Sequence, residues 1–130
     1  MPHIHIDHSP GLGERLDIPK LCQTLRDTAV DTGVFPLAGV RVRVIECNYA
    51  LIADGNPQHA YLDISVRLRG GRDLDTRRMA VQRLFDAAEA QCADLLNQSS
   101  FALSMEMRDI DPELSPKTGS IRRYLSDTDQ

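Results

Sequence analysis

Residues 60–71 read AYLDISVRLRGG, and the alternation inside this stretch decides the fold. Ala60, Leu62, Ile64, Val66 and Leu68 fall on one side, while Tyr61, Asp63, Ser65, Arg67 and Arg69 fall on the other. A period of two is that of a strand with one face against a core. Asp54-Gly55-Asn56-Pro57 supplies a turn before it, and Gly70-Gly71 ends it. The outward set is semi-polar rather than fully solvated, because Tyr61 and Ser65 stand among its charges.

Working outward from this strand, the same element order recurs on both sides. Downstream, Asp73 is placed to cap a long helix whose apolar stripe is Val81, Leu84, Phe85, Ala88, Cys92, Leu95 and Leu96. Phe101, Leu103, Met105 and Met107 then alternate with Ala102, Ser104, Glu106 and Arg108, predicting another strand. Upstream, Val40, Val42 and Val44 alternate with Arg41 and Arg43. Before them, Asp17 and Pro19 open a helix through Leu21, Cys22, Leu25 and Ala29, with Gly33 as its stop. Ser9 to Arg15 reads as a loop, and Ile4 to His8 alternates as a strand that begins almost at residue 2.

The order is β-α-β, a turn, then β-α-β, within one domain spanning residues 1–130. The pseudo-repeat halves cover about 2–56 and 57–110, followed by a tail at 111–130 with Pro112 and Pro116 and a short Ile121, Tyr124, Leu125 pattern. Parallel crossovers in each half predict an α+β fold, with a four-stranded mixed sheet and two helices on one face. The other sheet face is left uncovered, which predicts a homo-oligomer.

Composition excludes several functions. The chain has 130 residues, 42% hydrophobic and 26% charged, with a net charge of -4 and only 5% aromatic residues without Trp. A negative chain poor in aromatics is a poor match for nucleic acid or an anionic membrane. No apolar stretch approaches a membrane span, and the N-terminus lacks the pattern of a signal peptide, so a cytoplasmic protein is expected. Cys22, Cys47 and Cys92 are odd in number, widely spaced and without zinc spacing, and are expected as buried free thiols. His3 and His5 share a strand face while His8 points the other way, so no metal site is expected. Arg67, Arg69, Arg72, Arg77 and Arg78 read as a solvated face.

Three residues stand out chemically. Pro2 becomes a terminal secondary amine once Met1 is removed. Burial or nearby cations would lower its pKa and leave a neutral general base. Arg41 and Arg72 sit at element ends next to loops, where pockets form, and either can grip a carboxylate through two parallel hydrogen bonds. On position alone, a solvated arginine or a surface ion pair explains each of them better than a ligand site does.

The Met-Pro-His start, TGVFPLAGVRVR (Thr32 to Arg43), ADG (Ala53 to Gly55), GR-L--R (Gly71 to Arg77) and ALS-E (Ala102 to Glu106) form a combination. It resembles the 5-carboxymethyl-2-hydroxymuconate delta-isomerase family of the tautomerase superfamily, from Pro2 to about Leu125. The resemblance implies a cofactor-free homotrimer of two joined β-α-β units acting on a small tricarboxylate in the catabolism of homoprotocatechuate. It also implies that Pro2 is the catalytic base and that Arg41 and Arg72 bind substrate. Phe101 is a candidate pocket wall, with core packing as its alternative. The sequence departs from the family mainly after Pro116 and around Gly11 to Arg15, which bears on substrate range. Two other readings are a superfamily relative acting on another 2-hydroxydienoate or 2-oxo acid, and a non-catalytic anion-binding oligomeric domain. Glu106 or Asp7 would be the water-activating carboxylate if the chemistry were hydration.

Overall fold

In the computed structural model the described residues are 2–126; Met1 and residues 127–130, the end of the expected tail, lie outside them. The alternating stretch forms β3 (Ala60–Arg69), beside β1 (His3–His8), β2 (Arg41–Glu46) and β4 (Phe101–Ile110). The sheet order is β2-β1-β3-β4. β1 runs parallel to β2 and β3 runs parallel to β4, while the central pair β1 and β3 is antiparallel. A parallel pair requires a crossover, and each crossover carries a helix: α1 (Ile18–Asp31) in the first half and α2 (Leu74–Gln91) in the second.

The caps expected from the sequence are in place. Asp17 accepts a hydrogen bond from the Lys20 N–H at 3.1 Å, and Asp73 accepts one from the Thr76 N–H at 2.7 Å. Gly33, with φ of +74°, takes the left-handed backbone that ends α1 and that other residues adopt only at a cost.

One core joins the sheet to both helices. Ile4, Ile6, Leu62, Ile64 and Val66 meet Leu21 and Leu25 of α1 and Leu84 and Ala88 of α2. The helices lie together on that face, tied by Arg83 of α2 donating to the Asp31 carboxylate and main-chain oxygen at the end of α1. His8 also points inward and is buried, with Nδ1 on the Ser9 carbonyl at 2.8 Å. On the opposite face the cross-strand rows run Arg41, His3, Arg67, Arg108 and then Arg43, His5, Ser65, Glu106. This face carries no helix and is strongly charged.

Three expectations change. The second helix is broken at Cys92, whose backbone leaves helical geometry (φ -98°, ψ 10°), and a short α3 (Ala93–Gln98) follows. Its buried stripe is Ala80, Leu84, Ala88, Cys92 and Leu95, whereas Val81 is half-buried and Leu96 exposed. This stripe, spaced by four residues up to Cys92 and then by three, is narrower than the one expected from the sequence. Of the thiols only Cys92 is buried; Cys22 and Cys47 are half-buried. None of the described helices is long and apolar enough to cross a membrane.

Candidate active site

The end of the sheet where β1 begins carries the concentrated chemistry. The parallel ladder starts with the Arg41 N–H donating to the Pro2 carbonyl at 3.1 Å, so residue 2 is held against the first residue of β2. Pro2 is fully buried. The chain reaches Arg41 through Phe35, Pro36 and a single turn at Leu37–Gly39. The Arg41 guanidinium donates back to the Gly39 carbonyl at 3.1 Å, which fixes the arginine against its own loop.

Arg72 arrives from the other half of the chain. Its guanidinium donates to the Arg69 carbonyl and the Val34 carbonyl, both at 3.0 Å, and lies 5.6 Å from the centre of the buried Phe35 ring. Two carbonyls and an aromatic face hold the group in one orientation while leaving further N–H donors for a carboxylate. The Val34 carbonyl and the Phe35 ring therefore connect the two halves of the chain through Arg72.

Arg41 and Arg72 open onto one cavity of about 510 Å³, within the range of small-molecule sites. Its floor is the Pro36, Ala38, Gly39 loop, and its other cations are Arg69, Lys117 and Arg122. The chain as a whole is negative, yet this end of the sheet is locally positive and suited to an anion. His3 is next to it. Burial, reinforced by Arg67, Arg41 and Arg43, holds its pKa below the ordinary value, so the neutral imidazole is favoured.

The structure thus brings Arg41 and Arg72 together and sets Pro2 directly beside Arg41, although Pro2 does not line the cavity. It does not bring Phe101 there. Phe101 pairs with Ala60, whereas His3 pairs with Arg67, seven residues further along β3. At about 3.3 Å per residue the separation is about 23 Å. Within one chain Phe101 packs against the core instead. Asp7 is four residues beyond His3, about 13 Å along the strand, and accepts from the Tyr61 hydroxyl at 2.7 Å. Glu106 is paired with Arg108 at 2.8 Å. Neither carboxylate faces the arginine cavity. Among the described residues no group of three or more His, Cys, Asp or Glu side chains is placed to hold a metal ion.

Sequence reading missed Lys117 and Arg122, which come from the tail. No pattern in the tail singled them out.

Two joined β-α-β units on a four-stranded mixed sheet, with a cationic cavity at the β1 start, define a member of the tautomerase superfamily. The family model for 5-carboxymethyl-2-hydroxymuconate isomerase matches residues 2–125. The chain is 32% identical over 121 residues to the 5-carboxymethyl-2-hydroxymuconate Delta-isomerase of Escherichia coli, covering 93% of this chain and 96% of that one. A crystal structure of a 5-carboxymethyl-2-hydroxymuconate delta-isomerase superposes with a TM-score of 0.88 at 26% identity, over 95% of this chain and 92% of the other. A fused 4-OT symmetric trimer shares the fold, with a TM-score of 0.60 at 23% identity, over 84% of this chain and 85% of that one. The chain belongs to the 5-carboxymethyl-2-hydroxymuconate isomerase family and is an isomerase.

Proposed function

We propose that this isomerase acts on 5-carboxymethyl-2-hydroxymuconate in the breakdown of homoprotocatechuate, with Pro2 as general base and Arg41 and Arg72 as carboxylate ligands. The observation that carries the reading is the convergence of Arg41 and Arg72 on one cavity, with Pro2 bonded through its backbone to Arg41.

While Met1 is attached, the Pro2 nitrogen is an amide and cannot accept a proton. Removal of Met1 makes it a secondary amine. Its buried setting and the neighbouring guanidinium groups favour the uncharged form. The amine takes the 2-hydroxyl proton, and the O–H electron pair becomes the C2=O bond. The C2=C3 pair moves to C3=C4, and the C4=C5 pair accepts a proton at C5. One proton leaves, one returns, and no electrons are gained or lost, so the step needs no cofactor. Either arginine, fixed before substrate arrives, stabilises negative charge on the developing dienolate oxygen.

The active unit is a homotrimer in this reading. The open, charged sheet face and the edge strands β2 and β4 suit association, and the fold is shared with a protein that forms a symmetric trimer. The three free thiols suit a reducing cytoplasm.

The test compares protein with a processed Pro2 terminus, verified by mass spectrometry, with protein retaining Met1. Loss of the dienol ultraviolet absorbance should occur only with the first, at equal helix content and melting temperature. Full turnover with Met1 retained would remove Pro2 from the mechanism. Binding of the muconate by both forms, with turnover by neither, would establish the anion-binding alternative.

A further inference from the structure

We propose that Lys117, on the C-terminal tail, is a specificity-determining residue that binds the carboxymethyl carboxylate of the substrate. The proposal rests on the isomerase reading above. A muconate has a carboxylate at each end of its chain, and the carboxymethyl group adds a third on C5. The negative charge is therefore lopsided: one carboxylate beside the 2-hydroxyl, two at the far end. Two arginines cannot each give a two-pronged grip to three carboxylates.

The cationic cavity has a neighbour of about 370 Å³, lined in part by His3, Arg67 and Ser115. Arg69 and Lys117 are the residues common to the walls of both cavities. They stand where a branch from the main cavity would enter the second. Lys117 makes no ion pair among the described residues. Its long stem and point charge suit an arm joined to the diene through a saturated carbon, which swings more freely than a conjugated carboxylate.

The start of the tail forms a turn held by its own hydrogen bonds. Past Ile110, the Asp111 side chain accepts from the Glu113 N–H at 2.9 Å, and its carbonyl accepts from the Leu114 N–H at 3.2 Å and from the Ser115 hydroxyl. After this turn, Pro116 fixes its own φ and restricts Ser115 before it. The end of β4 is itself tied down, since the Ile110 carbonyl accepts from the Gly70 N–H at 3.0 Å. Lys117 follows two residues after Ser115, is exposed, and shares the walls of both cavities with Arg69 at the end of β3.

The experiment compares Lys117→Met and Lys117→Arg with the parent, all with processed Pro2 termini, on 5-carboxymethyl-2-hydroxymuconate and on 2-hydroxymuconate, which lacks the arm. If 2-hydroxymuconate turns over too slowly, its Ki as a competitive inhibitor replaces KM. Lys117→Met should raise KM for the tricarboxylate about five- to tenfold with kcat little changed, as expected for loss of a binding charge. It should leave KM or Ki for 2-hydroxymuconate within about twofold, and Lys117→Arg should restore most of the loss. The parent's preference for the tricarboxylate should shrink in 0.5 M salt, as for an ion pair open to solvent. An equal loss on both substrates would make Lys117 a structural or general-field residue and overturn the proposal. No loss on either would overturn it too. A parent inactive on both would sink the isomerase reading, and the assignment of Lys117 with it.

Discussion

Arg72→Ala separates the structural contacts of this side chain from the substrate-binding role proposed for it. The structural job is countable. The bond to the Val34 carbonyl is half-buried, at about 1 kcal/mol, and the bond to the Arg69 carbonyl is exposed, at about 0.5 kcal/mol. The approach to the Phe35 ring adds roughly 0.5 kcal/mol at a half-exposed site. Removing the side chain should therefore cost about 2 kcal/mol, a fall in Tm of roughly 5–10 °C for a chain of this size. The functional job is larger. Removing one partner of a charged, hydrogen-bonded pair in a binding site costs about 3 kcal/mol, or roughly 100-fold in kcat/KM. The assay is decay of dienol absorbance, run well below the variant's melting range, with a thermal melt on the same sample. Arg72→Lys keeps the charge but not the planar fork, and should fall between parent and alanine in both. An alanine variant that melts early yet retains full kcat/KM would show that Arg72 only ties the halves of the chain together. It would refute the reasoning from cavity geometry to substrate binding.

Two further predictions follow from packing and charge. Leu84 is fully buried where α2 meets the shared core, so Leu84→Ala should cost about 2–5 kcal/mol in urea unfolding; a change under 0.5 kcal/mol would mean that α2 is not packed as described. The His3 pKa is held below 6.5 chiefly by burial and then by Arg67, Arg41 and Arg43. The unfolded chain therefore binds this proton first as pH falls. His3 should have no pH effect on stability above 6.5, and stability should decline as pH drops from 6.5 through the folded value. Titration of the His3 ring by NMR should give a midpoint below 6.5 that rises in Arg67→Ala, and a parent midpoint at or above 6.5 would contradict the geometry.

The sequence by itself determined every strand, because a period of two needs only the chain's own pleat and one apolar face. Ala60 to Arg69 and Phe101 to Met107 are buried on the expected sides. It also determined both helix starts, since Asp17 and Asp73 each bond to an N–H three residues ahead. The break at Cys92 was not legible, because the apolar pattern passes through it and only packing shows that Leu96 has turned outward. Arg41 and Arg72 could be named from element ends and from resemblance. Their meeting depends on the Val34 carbonyl and the Phe35 ring reaching across from the first half, which no local pattern records. The place of Phe101 could not be read from residue type, because strand register fixes its distance from Pro2 and sets it against the core within one chain. Lys117 was not legible as a cavity residue, since nothing in the local sequence sets it apart from a solvated lysine until the fold places Arg69 and a cavity beside it.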